Sequence, residues 1–140
     1  MANAAVDIGT GGSAVFDTSS IAVNFTSIDL GEQTLEVIDT SHLGTTGFKT
    51  SMVGDLKKAG EWVFEFQWDS EAGPAPALTP ETCTVTFPQA IANATSAATY
   101  AATGYVRSIK YPTLGLEELQ MGTLTFKPDG LTGPTYTDAV

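Results

Sequence analysis

Few residues in this chain could carry covalent or acid–base chemistry. His42 is the only histidine and Cys83 the only cysteine. A nucleophile needs a base within reach, and a zinc site needs three or four His, Cys or carboxylate ligands. His42 stands in a Thr/Gly-rich stretch with no obvious acid and nucleophile beside it, and reads as a solvated loop histidine. Cys83 falls on the apolar side of an alternating run with Val85 and Phe87, and reads as a buried thiol. Adjacent Glu117 and Glu118 diverge on either a strand or a helix. Asp69 and Glu71 lack the spacing of a calcium loop. Gly9-Thr10-Gly11-Gly12 is followed by no Lys-Ser/Thr that would complete a phosphate cradle. The expectation is a protein that is not an enzyme and uses no metal and no cofactor.

The elements that would position these residues are strands. Ile21, Val23 and Phe25 share one face, and Leu35 and Val37 repeat the alternation. From Glu61 to Trp68 the alternation is strongest: Trp62, Phe64, Phe66 and Trp68 point one way, as a core face, and Glu61, Val63 and Glu65 the other. Cys83, Val85 and Phe87 alternate with Thr82, Thr84 and Thr86; Tyr105, Arg107, Ile109 and Tyr111 follow. Gly122, Leu124 and Phe126 form the last run, closed by Pro128-Asp129-Gly130. This predicts about six strands in one mainly β domain, a sandwich or small barrel. One short helix over 114–121 is left open, and 90–102 reads as an extended edge segment. Residues 1–20 read as a flexible N-terminal arm to a 21–140 domain. Residues 42–58 read as a long loop tipped by Leu43, Phe48 and Met52, and 70–79 as a Pro-rich connector.

Composition narrows the partners. The chain has 140 residues, 16 acids against 6 basic residues, and a net charge of −10. Six cations cannot build a basic patch, so tight phosphate binding is not expected, and an anionic membrane surface would repel the chain. Charged residues are only 16 % of the total, while threonine fills 21 positions. Such a surface suits β-structure and broad protein contacts. No signal peptide or transmembrane run is read in the sequence, so synthesis in the cytoplasm with Cys83 reduced is expected.

Two stretches carry a family signature. One runs Val37-Ile38-Asp39-Thr40-Ser41-His42, then Phe48-Lys49-Thr50-Ser51-Met52-Val53-Gly54-Asp55-Leu56, then the strand Gly60 to Asp69. The other is Gly122-Thr123-Leu124-Thr125-Phe126-Lys127-Pro128-Asp129-Gly130-Leu131. Together they resemble the major tail tube proteins of long-tailed, siphovirus-type bacteriophages. The resemblance implies a β-sandwich or barrel, often with a flanking helix, although the Pro-rich connector at 70–79 stands where that helix is common. It also implies hexameric rings that stack into a tube, other tail proteins as partners, and a place in the virion. DNA would pass through without specific binding. On this reading Leu43, Phe48, Lys49 and Met52 are candidates for an inter-ring contact loop. Glu36, Glu61 and Glu65 are candidates for acids facing the lumen. The alternatives are another virion component, such as a capsid decoration or tail terminator protein, and a carbohydrate-binding β-sandwich module with exposed tryptophans.

Overall fold

A computed structural model describes residues 11–21, 23–71, 73–77, 79–88 and 97–139. The chain forms β1 (Ser13–Phe16), β2 (Asn24–Asp29), β3 (Gln33–Asp39), β4 (Ser51–Ala59), β5 (Trp62–Gln67), β6 (Glu81–Thr86), β7 (Thr99–Lys110), β8 (Met121–Pro128) and β9 (Thr135–Thr137). Seven of them make one antiparallel sheet in the order β1-β6-β7-β8-β5-β2, with β9 beside the first half of β7. The remaining two, β3 and β4, pair only with each other. The fold is all β, as the alternation predicts, and no helix occurs among the described residues.

The large sheet curls into a half-barrel and buries one face on itself. Strand alternation supplies that face: Trp62, Phe64 and Phe66 from β5, Leu124 and Phe126 from β8, and Cys83 and Val85 from β6 are all buried. Phe16 and Phe64 meet edge-to-face at 5.5 Å, and Trp62 packs against Phe126 at 5.3 Å and stacks on Tyr100 at 5.1 Å. Ring packing of this kind adds about 0.5–1.5 kcal/mol per pair to the burial itself. The curl leaves a seam between β2 and the C-terminal end of β6, a cavity of about 280 Å³ lined in part by Phe25, Ile28, Val85 and Phe87.

Strict period two fails at two bulges. On β7 the register shifts between Val106 and Ser108, so Val106 and Ile109 both face the core, and Tyr105 and Arg107 face out. The expected single face holding Tyr105, Arg107, Ile109 and Tyr111 is corrected accordingly. On β2 a shift between Phe25 and Ser27 likewise brings Phe25 and Ile28 to the same side. An extra residue in one strand reverses every side chain beyond it.

Four further expectations change. The loop assigned to 42–58 is shorter: Ser51 to Ala59 is β4, and only 40–50 connects the hairpin. No helix forms over 114–121, where Glu117 adopts φ 59°, a left-handed conformation that a helix cannot continue through. The 1–20 arm is in part structural, because β1 pairs with β6 and Phe16 enters the core; residues 1–10 lie outside the described residues. Of the expected edge segment 90–102, residues 90–96 also lie outside them, whereas Thr99 to Ala102 form an interior part of the sheet, with Thr99 to Ala101 hydrogen-bonded on both sides.

Candidate assembly interface

The β3–β4 hairpin leaves the sheet between Asp29 and Trp62. Gly31 and Gly60 close its base: Gly60 N donates to Glu32 O at 2.9 Å, and a Cβ on Gly31 would lie 2.8 Å from Glu61 O. Gln33 Nε2 donates to Tyr100 Oη at 2.9 Å and fixes the hairpin to the sheet. Beyond this base, neither strand makes an extended contact with any other strand.

The hairpin's apolar side chains are therefore uncovered. Val37 stands opposite Val53, and Ile38 opposite Met52, on opposite faces of the ribbon, and all four are exposed. Leu35 and Leu56 are exposed as well. A two-stranded ribbon in water is marginal by itself. One with apolar side chains on both faces gains stability when other surfaces cover it.

Its tip is built from short local hydrogen bonds. Asp39 Oδ1 accepts Ser41 N at 2.8 Å, which together with the Ser41 side chain holds the Asp39 carboxyl below its ordinary value. Thr50 N donates to Ser41 Oγ at 2.8 Å, His42 N to Thr45 Oγ1 at 2.9 Å, and Gly44 N to His42 Nδ1 at 3.0 Å. His42 thus serves as a turn acceptor. Leu43 and Phe48 project outward, 108 % and 95 % exposed, with Lys49 beside them. Of the four residues assigned to a contact loop, Leu43, Phe48 and Lys49 sit on this tip. Met52 lies on β4, in the ribbon.

The remaining candidates separate. Trp62, Phe64 and Phe66 are fully buried, and Trp68 is half-buried between Phe66 and Tyr111. Neither tryptophan offers an open ring face for a sugar. Glu65 is exposed on the outer face of β5, and Glu36 is exposed on the hairpin beside Gly54. Glu61 is held by Arg107 Nη1 at 2.9 and 3.0 Å. Glu61, the residue before β5, and Glu65 belong to the same outward side of that strand, whereas Glu36 stands apart on the hairpin.

Two features of the surface and interior are not among the site candidates that the sequence offers. The connection 111–120 exposes Tyr111, Leu114, Leu116 and Leu119, with Leu116 97 % accessible. Its leucines alongside Pro112 and Gly115, in a segment too irregular for a helix, were the available signal. The second is Glu81, buried as the first residue of β6 and bonded to Thr18 and Ser19; nothing in its neighbourhood marks it. No group of three metal-ligating side chains occurs among the described residues. No helix there is long and apolar enough to cross a membrane.

No protein-family model matches the chain, and no curated protein matches it in sequence. Solved structures do match in fold. One is the sheath/tube terminator, in the extended state, of an extracellular contractile injection system, PVC: TM-score 0.63 at 10 % identity, over 89 % of this chain and 94 % of that one. Another is a chain of the anti-feeding prophage baseplate, solved with six-fold symmetrisation: TM-score 0.61 at 13 % identity, over 100 % of this chain and 96 % of that one. At such identities the likeness is one of fold. The first comes from an injection system and the second from a prophage baseplate, and neither is described as a siphovirus tail tube protein.

Proposed function

We propose that this chain is a structural subunit of a phage-tail-like assembly, working by contact with copies of itself and with other tail proteins. The observation that carries this is the β3–β4 ribbon, apolar on both faces and covered on neither. A ring of copies provides two neighbours for each ribbon, one per face, and closes on itself without leaving free edges. The fold shared with a tube terminator and with a chain of a six-fold symmetrised baseplate supports hexameric rings stacking into a tube. On this reading the protein is made in the bacterial cytoplasm, resides in the virion, catalyses nothing and binds no cofactor.

A tube of this kind lets DNA pass and does not hold it. The hairpin contains three acids and three lysines, so the surplus of −10 lies elsewhere in the chain. An acidic wall acts on phosphates only within about 8 Å at physiological salt. Glu36 and Glu65 remain candidates for such a wall, whereas Arg107 largely offsets Glu61.

Negative-stain microscopy and light scattering of the concentrated protein test this reading. Rings or tubes are expected. Monomers at every concentration and salt, also with other tail proteins present, would sink it. The likeness to a terminator favours one second reading, a ring that ends a tube. It gives closed rings that never stack.

A further inference from the structure

The domain carries two exposed apolar loops at opposite ends. β2 and β5 are antiparallel, with Asp29 opposite Val63 and Asn24 opposite Gln67, so the hairpin departs from the Trp62 end of β5. β8 pairs with β5 so that Trp62 faces Phe126 and Gln67 faces Met121. The 111–120 connection enters β8 at Met121, and Trp68 N donates to Gln120 O at 2.9 Å, which fixes this loop at the Gln67 end. The six residues of β5, roughly 20 Å of strand, separate the two ends, and the hairpin adds its own length to that distance.

Their charges are opposite. Residues 40–50 contain Lys49 and no acid, with Asp39 at their foot engaged by Ser41, whereas 111–120 contain Glu117 and Glu118 and no cation, with Lys110 just before them. Contact between two tips, or between two 111–120 loops, would bring like charges together. Contact of a tip with a 111–120 loop brings opposite charges and two apolar surfaces together. Because these surfaces lie at different ends of one molecule, the contact is head-to-tail and repeats from copy to copy.

We propose that Leu43, Phe48 and Lys49 of one copy seat on Leu114, Leu116 and the Glu117–Glu118 pair of the next, forming the axial contact between copies. This rests on the self-assembly reading above and names the surface that receives the hairpin tip.

Two single-cysteine additions test it: Phe48→Cys and Leu116→Cys, both at exposed positions, in a chain whose own Cys83 is buried. Mixed and oxidised, the two variants are expected to give a 48–116 disulfide-linked dimer, with much less product from either variant alone. Particles seen by microscopy without any 48–116 product overturn the axial contact and leave the assembly reading standing. Neither particles nor product under any condition overturns both. In a second arm, Lys49→Glu is expected to weaken association about tenfold, and Glu117→Lys with Glu118→Lys on the other copy to restore it. Failure of that restoration in folded variants also overturns the proposal.

Discussion

The side chains of Glu81 and Ser19, 62 residues apart, meet at 2.5 Å in the interior of the domain. The other carboxyl oxygen of Glu81 accepts the backbone N–H of Ser19 at 3.0 Å and of Thr18 at 3.2 Å. Ser19 Oγ in turn accepts Ala77 N at 2.7 Å, and Ser20 bridges Ala75. A single buried carboxyl group thus ties the segment after β1 and the Pro-rich connector to the start of β6. Glu81→Ala leaves buried donors without acceptors and is expected to cost about 2–4 kcal/mol in denaturant unfolding. Glu81→Gln keeps one acceptor and should cost less. A change below about 0.5 kcal/mol for Glu81→Ala would show that the connection contributes little.

Excising residues 34–58 and joining the ends with two glycines should leave the large sheet folded. The Gly60–Glu32 hydrogen bond already holds those ends together, and the ribbon lends the core no side chain. A circular dichroism melting midpoint within a few degrees of the intact chain is expected, with loss of rings or tubes. Unfolding of the excised protein would mean that the ribbon stabilises the domain.

Gly104 lies where β7 passes from β6 and β9 to β8. A Cβ there would lie 2.8 Å from Pro128 Cα and closer still to Lys127 O, which is backbone that cannot swing away. Gly104→Ala is therefore expected to destabilise by about 1–3 kcal/mol in thermal unfolding. Gly47, whose Cβ would meet open space but whose φ is +84°, makes a useful contrast. Its replacement strains the tip alone and should move association more than melting.

Cys83 is buried, and loss of solvation raises its thiol well above the ordinary 9.0, with Glu81 and Asp17 adding to the rise. The folded state therefore keeps the thiol proton after the unfolded chain has lost it. Stability from this group is complete below about pH 9 and falls as pH rises beyond it. Ellman's reagent should find no reactive thiol in the native protein at pH 8 and one per chain in denaturant. Fast native labelling would contradict the burial.

Phe64 touches both Phe16 and Phe25, at 5.5 Å each, and is fully buried. Phe64→Ala should cost about 3–5 kcal/mol, enough to unfold many domains of this size. An unchanged melting midpoint would show that the concave face is not the core.

Alternation in the sequence made the core strands legible because β5, β6 and β8 bury one face only. Trp62, Phe64 and Phe66, or Cys83 and Val85, announce that face by spacing. The same rule hides β4. Met52 and Val53 are neighbours on opposite faces, both exposed, so a ribbon unburied within its own chain shows no period and reads as loop. The candidate interface was accordingly half visible. Leu43, Phe48 and Lys49 stand out as residues, but their mounting on a paired ribbon does not.

The residues by themselves determined that this is a mainly β domain with an aromatic core, an acidic surface and no evident catalytic set, since composition and one-sided burial are written locally. Only the tertiary structure decided which side chains remain uncovered. The bulges on β2 and β7 turn Ile28 and Ile109 inward, the Glu81–Ser19 contact spans 62 residues, and antiparallel pairing sends Phe48 and Leu116 to opposite ends. Each depends on which distant strands pair and in what register, and local spacing does not encode that.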